Sequence, residues 1–248
     1  MQTDSLYTGM AGLQSITARM QAVAGNLANA QTPGYAALQA ITQPDFYDGS
    51  NAPAGADAAA LNNGPDTAQS APRETGDPMN VALSGDAWLQ VQTANGNALT
   101  RDGSLAISST GLLTDSSGNP VLDTNGQPIS LPSLTKLEIG SDGTVSGVAA
   151  SDPTGPARQY GQIALIATPS GTLTPLSGTL YQPPSGAALI PSTNGALHQG
   201  YLNESNVDTT QSMMELISDS RSYQMQTDMM KSQSTASTDL NTLVAQGG

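Results

Sequence analysis

The sequence predicts an α+β fold. An N-terminal and a C-terminal helix pair as a coiled-coil-like, discontinuous domain, and an all-β domain of short hairpins is inserted between them. Three observations predict it. Apolar residues recur at heptad spacing near both ends. Between the ends they alternate or form short runs, punctuated at intervals of about ten residues by Gly, Asn and Asp turns. A stretch rich in Ala, Pro, Gly, Asn and Asp separates the first helical pattern from the β pattern.

The first element spans residues 1–35. Leu6, Leu13, Met20 and Leu27 recur every seven residues, Ile16, Val23 and Ala30 lie three residues on, and Met10 and Ala24 flank the stripe. Asp4 is the expected N-cap and Pro33-Gly34 the stop. The stripe is narrow and the opposite face is Gln, Ser, Thr and Asn, so such a helix is marginal alone and requires a partner. Residues 36–73 read as an extended linker with little structure of its own.

The β-rich domain is expected over 74–204. Met79, Val81 and Leu83 alternate, while Trp88, Leu89 and Val91, then Ile163, Leu165 and Ile166, form short buried runs. Leu137 and Ile139 lead into the turn at 140–143, followed by Val145 and Val148. Asp115-Ser-Ser-Gly-Asn-Pro and Asp123-Thr-Asn-Gly-Gln-Pro are near-copies, read as Asp-initiated turns between very short strands.

The last element, 205–248, mirrors the first. Asp208 and Gln211 have N-cap and N3 spacing. Met213, Leu216 and Ile217 follow; Tyr223, Met230 and Val244 lie at seven-residue multiples from Leu216, with Ser237 interrupting. Met225, Met229, Leu240 and Leu243 widen this face, and residues 232–239 are the expected weak turn. The flexible thioethers suit either an ordinary helix core or an interface that fits several neighbours.

Composition narrows the function. With 7 Lys+Arg against 20 Asp+Glu the chain carries −13, which gives it no electrostatic grip on nucleic acid. It has no Cys and one His, so disulfides, thiolate metal sites and Cys nucleophiles are excluded. His198, in Leu-His-Gln-Gly, has no nucleophile motif beside it and reads as a surface residue. The acids are dispersed singly, and the two Asp turns lack the ligand pattern of a calcium loop. No catalytic residue, metal or cofactor is expected, and no small-molecule substrate. The first basic residue is Arg19 and no apolar run approaches the roughly 18 residues of a spanning helix, so export would proceed without a cleaved Sec signal. Seams at both ends of one chain favour a self-assembling structural subunit. Each seam alone buries too little to offset its ordering entropy, so the ends are expected to order on assembly. A secreted β-rich enzyme or adhesin, and a soluble export factor, are the alternatives from other classes.

Particular residues carry a resemblance. Leu6-Tyr-Thr-Gly-Met-Ala-Gly and Gly25-Asn-Leu-Ala-Asn-Ala-Gln-Thr-Pro-Gly-Tyr35 resemble the N-terminal signature of flagellar axial proteins, the rod and hook subunits. The matching positions are Asn26, Leu27, Ala28, Asn29, Thr32, Gly34 and Tyr35; Gly25 stands where Asn is usual and Tyr35 where Phe is usual. Gln199-Gly-Tyr-Leu-Asn-Glu-Ser-Asn-Val207 is similar to the C-terminal signature, matching at Ser205, Asn206 and Val207. Gly85-Asp-Ala-Trp-Leu-Gln-Val, with Ala87 for the commoner Gly, Leu99-Thr-Arg-Asp-Gly-Ser-Leu105 and Gly111-Leu-Leu-Thr resemble the β-domain of the long rod proteins. The short chain and the Ala- and Pro-rich stretch after residue 41 resemble the proximal-rod type, with the distal-rod type as the alternative. The resemblance implies a basal-body rod subunit in the periplasmic space, delivered by the flagellar type III export apparatus. Its partners would be copies of itself, proximal-rod proteins below and the distal-rod protein above. Its assembly interface would be the two seams, from Leu6 to Leu27 and from Met213 to Val244.

Overall fold

In a computed structural model of the chain, residues 2–46, 56–167, 173–184 and 189–246 are described. The chain divides into two compact units, one of Met1–Leu27, Gln39–Asn63 and Asp208–Gly248, the other of Ala28–Leu38 and Gly64–Val207.

The first unit holds two helices, α1 (Gln2–Ala28) and α2 (Thr209–Gln246). Helix α1 begins ahead of Asp4, so Asp4 lies inside the first turn and is not the cap that its spacing suggested. Asp208 does cap α2: its Oδ1 accepts from the backbone N–H groups of Thr210 at 2.9 Å and Gln211 at 3.0 Å. The Gln211 side chain turns forward to Glu215 at 2.8 Å, so the reciprocal bond of a capping box is not made. The expected weak turn at 232–239 stays helical. The segment read as an extended linker contains two strands, Leu38–Phe46 and Ala56–Pro65, paired with each other.

The predicted fold class needs correction. Among the described residues there are seventeen strands and two helices, one near each end. The fold is dominated by antiparallel strands, with the β region inserted between the helices. Among the described residues a coiled-coil-like apolar seam between the helices is only weakly present. Leu216, Tyr223 and Met230 do recur at heptad spacing, but the positions between them are Asp219 and Gln226. Those polar residues hydrogen-bond to α1, Met230 alone of the heptad members is placed against it, beside Gly9, and Met213 and Ile217 are each more than half exposed. An apolar period in sequence gives a candidate face; it does not establish that the face meets another helix.

The second unit is built on a six-stranded antiparallel sheet, in the order Thr174–Ser177, Leu180–Gln182, Gly96–Thr100, Ala87–Thr93, Leu165–Ala167, Ile190–Pro191. Both faces of its centre are buried. Ala87, Leu89, Val91 and Ala98 point into the larger core, with Val81, Leu83, Leu113, Val121, Ile139, Val145, Ile163 and Leu197. Trp88, Leu99, Ile166 and Tyr181 point the other way, into a smaller core with Ala36, Ala164 and Leu173. A strand buried on both faces cannot alternate apolar with polar, which is why Ala-Trp-Leu-Gln-Val is nearly continuous. Both edge strands carry a proline, Pro175 and Pro191, which cannot donate to a further strand.

The turns follow their residue chemistry. Leu134–Ile139 and Thr144–Ala149 form a hairpin around 140–143, with Val145 opposite Ile139. The two near-copies fold alike. Asp115 accepts from the N–H groups of Ser117 at 2.9 Å and Asn119 at 2.8 Å; Asp123 accepts from Asn125 and Gln127, both at 2.8 Å. The Gln127 N–H, with the further bonds from Asn125 and Gly126, holds the Asp123 carboxyl below the usual carboxylate range.

Leu89 lies fully buried at the centre of the larger core. Leu89→Ala is expected to lower stability by about 2–5 kcal/mol, the range for truncating a large buried aliphatic side chain. Urea unfolding followed by the fluorescence of Trp88, the one tryptophan in the sequence, reads the change directly. An unchanged midpoint would show that this core does not hold the unit together.

Candidate functional site

Part of each signature meets the other in the second unit. The Gly34 N–H donates to the Asn203 carbonyl at 2.9 Å, and the Asn206 N–H donates to the Tyr35 carbonyl at 3.3 Å. The Asn206 side chain completes the junction. Its Oδ1 accepts from the Ala37 N–H at 2.6 Å, and its Nδ2 donates to the carbonyls of Asp66 at 3.0 Å and Ala68 at 3.3 Å. One amide therefore satisfies three backbone groups from two separate segments. Asn203 acts similarly deeper in, accepting from the Leu83 N–H at 2.6 Å and donating to the Leu83 carbonyl at 3.0 Å.

Local chemistry shapes the N-terminal half of this junction. Thr32 donates from its hydroxyl to Asn29 Oδ1 at 3.2 Å and from its N–H to the Asn29 carbonyl at 3.0 Å, folding the chain back after α1. Gly34 then sits at φ +68°, and a Cβ there would lie 2.4 Å from the backbone of Arg101 and Asp102. Both the backbone angle and the close approach require glycine. Tyr35 and Ala36 follow as buried residues, and burial raises the Tyr35 phenol above its ordinary pKa. Ser205 accepts from the Val207 N–H at 3.3 Å. Asn26 and Leu27 fall in the first unit, Asn26 buried and Leu27 half-buried.

A second cluster lies behind the junction. Tyr181 donates from its hydroxyl to the Ala36 carbonyl at 2.9 Å and accepts from the Ala36 N–H at 3.3 Å. Burial pushes its pKa well above the ordinary phenol value. Its ring meets Trp88 edge to face, with centroids 5.4 Å apart. The Arg101 guanidinium lies 4.8 Å from the Trp88 centroid and donates to the carbonyls of Thr67 at 3.0 Å and Gly85 at 3.1 Å. Burial lowers the Arg101 pKa, and the nearby Asp86 and Asp66 oppose that shift. Arg101, Asn203 and Tyr181 are the residues that sequence reasoning did not single out. The first two lie inside quoted motifs, whereas Tyr181 carries no local signal.

The two signature segments frame a polar cleft of about 430 Å³, lined by Ala30, Gln31, Pro33, Arg73, Leu202, Asn203, Glu204, Ser205 and Val207. On its rim Arg73 and Glu204 pair at 3.3 Å, both more than half exposed, so the pair contributes little stability. His198 is exposed on the strand Ala196–Gln199, opposite Ala82. Among the described residues no three His, Cys, Asp or Glu gather where they could hold a metal ion.

The predicted seam residues divide. On α1, Met10 is exposed, Leu13, Ile16 and Met20 are half-buried, and Val23 is buried. On α2, Leu216 and Met230 are half-buried, while Met213, Ile217 and Tyr223 are exposed, together with Met214, Met225 and Met229. The side chains of Leu6, Leu240, Leu243 and Val244 lie outside the described residues. The helices meet where Gly9 and Gly12 let α2 approach: a Cβ on Gly9 would lie 3.4 Å from Met230 Cγ, and one on Gly12 3.4 Å from Gln226 Nε2.

This arrangement joins signatures from both ends of the chain, and comparison with known proteins identifies them. Residues 82–147 match the flagellar hook protein FlgE/F/G D1 domain, and residues 198–243 match the flagellar basal body rod FlgEFG protein C-terminal region. The chain is 32% identical over 230 residues to the flagellar basal-body rod protein FlgF of Salmonella typhimurium, covering 90% of each chain. It is 32% identical to FlgF of Escherichia coli, covering 92% of this chain and 93% of that one. It is 30% identical to the rod protein FlgG of Bacillus subtilis, covering 89% and 91%. It is a structural protein of the bacterial flagellum and not an enzyme. The chain belongs to the flagellar basal-body rod protein family.

Two outcomes follow from the junction. Asn206→Ala leaves three backbone groups without their partner and should cost about 1–3 kcal/mol, read from the urea midpoint. Asn206→Asp keeps the acceptor for Ala37 but loses both donated bonds, so it should also destabilise. The raised Tyr181 pKa means that its stabilising effect is complete below about pH 10, the ordinary phenol value, and is lost as pH rises above it. Tyr35 acts with the same sign. Stability should therefore fall more steeply above about pH 10 in the parent than in Tyr181→Phe. Parallel alkaline profiles would show that Tyr181 ionises equally in both states.

Proposed function

We propose that this chain is a proximal-rod subunit of the FlgF type. The flagellar type III apparatus exports it, and it takes its place in the periplasmic part of the basal body. It assembles with copies of itself and with the rod subunits above and below through the exposed apolar residues of its helices. In this reading residues 1–35 and 205–248 form the assembling core, and a β-rich domain of 74–204 forms the outer body.

The observation that carries the reading is the α2 surface. Met213, Met214, Ile217, Met225 and Met229 are each more than half exposed on one helix. Large apolar side chains in that number favour covering by another chain, and each contributes about 1.5–3 kcal/mol when fully buried. Thioethers fit neighbours of slightly different shape, as a subunit touching both copies of itself and other rod proteins requires. Repeated contacts between unlike surfaces extend a tube, through which torque passes as compression and shear across many small contacts.

Likeness over nine-tenths of the chain to the FlgF proteins of Salmonella typhimurium and Escherichia coli supports the proximal position. The likeness to FlgG of Bacillus subtilis supports a second reading, a distal-rod subunit. Two measurements test the proposal. The chain carrying Met225→Asp with Met229→Asp should fold, with its Trp88 unfolding transition unchanged, yet be absent from purified basal bodies. Normal incorporation would remove the assembly role of this face. Antibody labelling of isolated rods should mark the end nearer the inner membrane; label at the hook end would favour the distal reading.

A further inference from the structure

We propose that the Arg19–Asp219 ion pair fixes the register of α1 against α2. The inference concerns the helix pair within one chain and holds whichever rod position the subunit occupies.

The helices run antiparallel, since Gly9 lies against Met230, Gly12 against Gln226 and Arg19 against Asp219. Much of this contact is undemanding. Glycines accept many neighbours, and the Gln226 amide reaches only a backbone carbonyl, that of Gly9, at 3.4 Å. A slide of two helical turns, about seven residues, keeps the same helix faces together but sets larger residues opposite Met230 and Gln226, Gln2 and Ser5 one way, Ile16 and Arg19 the other. Asp219 is different. Its side chain is 1% exposed. Arg19 Nε donates to Asp219 Oδ2 at 2.9 Å while Nη2 donates to Oδ1, so the guanidinium engages both carboxylate oxygens. A buried carboxylate left without a cation is strongly disfavoured.

Only one register supplies that cation. Arg19 is the one basic residue of α1. A slip of seven residues one way sets Asp219 opposite Gly12, and the other way opposite Asn26. Neither can neutralise it. A single polar pair in an otherwise permissive helix contact is a known way to specify alignment. The register in turn fixes how far along α1 the exposed methionines of α2 stand.

The absence of Cys in the sequence makes the test clean. In the full chain, Gly12→Cys with Gln226→Cys reports the observed register by disulfide cross-linking. Gly12→Cys with Gln233→Cys, and Ser5→Cys with Gln226→Cys, report slips of seven residues in the two directions. Only the first pair should cross-link in the parent. Asp219→Ala removes the discrimination, and the slipped cross-links should rise about tenfold. Arg19→Ala strands the carboxylate, and the first cross-link should fall about tenfold. Exchanging the charges, Arg19→Asp with Asp219→Arg, should restore the first cross-link alone. Circular dichroism and Trp88 fluorescence report whether each variant keeps its helices and its β unit. The proposal is overturned if Asp219→Ala keeps the observed register alone, or loses every cross-link. It is equally overturned if the exchanged pair stays helical without recovering the first cross-link.

Discussion

The second unit depends on one meeting of backbone strands, where residues 34–37 lie against residues 203–206. Gly34 and Asn206 make that meeting possible by different means. Gly34 permits a left-handed backbone so close to Arg101 that a Cβ would lie 2.4 Å from it, and Asn206 supplies an amide that stands in for strand partners of Ala37, Asp66 and Ala68. Buried backbone groups without partners are costly, so a polar side chain placed there stabilises more than an apolar one would. The consequence is that the first and last segments of this unit, and the segment that begins at residue 64, are tied together.

The two cores on either side of the central sheet divide the remaining work. The larger one is built mainly by apolar packing, with Asn203 holding the backbone of Leu83 at its margin. The smaller one mixes packing with fixed polar contacts, since Trp88, Tyr181 and Arg101 each reach a partner of defined geometry. Tyr181 bonds both backbone groups of Ala36, which ties this core to the junction. Orientation is therefore specified where the two signatures meet, and bulk burial is left to the opposite face of the sheet.

The helix pair follows another logic. Its contact combines glycines, Met230 and the polar residues Asp219 and Gln226, and five large apolar residues of α2 stand more than half exposed. A soluble domain would bury them. Their exposure is the observation on which the proposed assembly face rests.

Local chemistry was legible in the residues. The Asp115 and Asp123 turns, the hairpin at 140–143, the Asp208 cap and the family signatures all rest on interactions between residues a few positions apart, which spacing reports faithfully. Heptad spacing also located both helices, because periodicity reflects one face of one helix. What covers that face was not legible. The apolar period suggested a coiled-coil-like seam, but Asp219 and Gln226 lie between its members and share the contact with Met230. The Ala- and Pro-rich stretch looked structureless because its two strands are weak individually and form by pairing with each other. Arg19 and Asp219 are 200 positions apart, and Ala36 and Tyr181 are 145 apart. No local period encodes such partners. Sequence alone determined which segments could be helix, turn or strand and which family they signal. Tertiary structure decided which polar groups meet, because a buried hydrogen bond or ion pair depends on the distance between side chains once the backbone has closed.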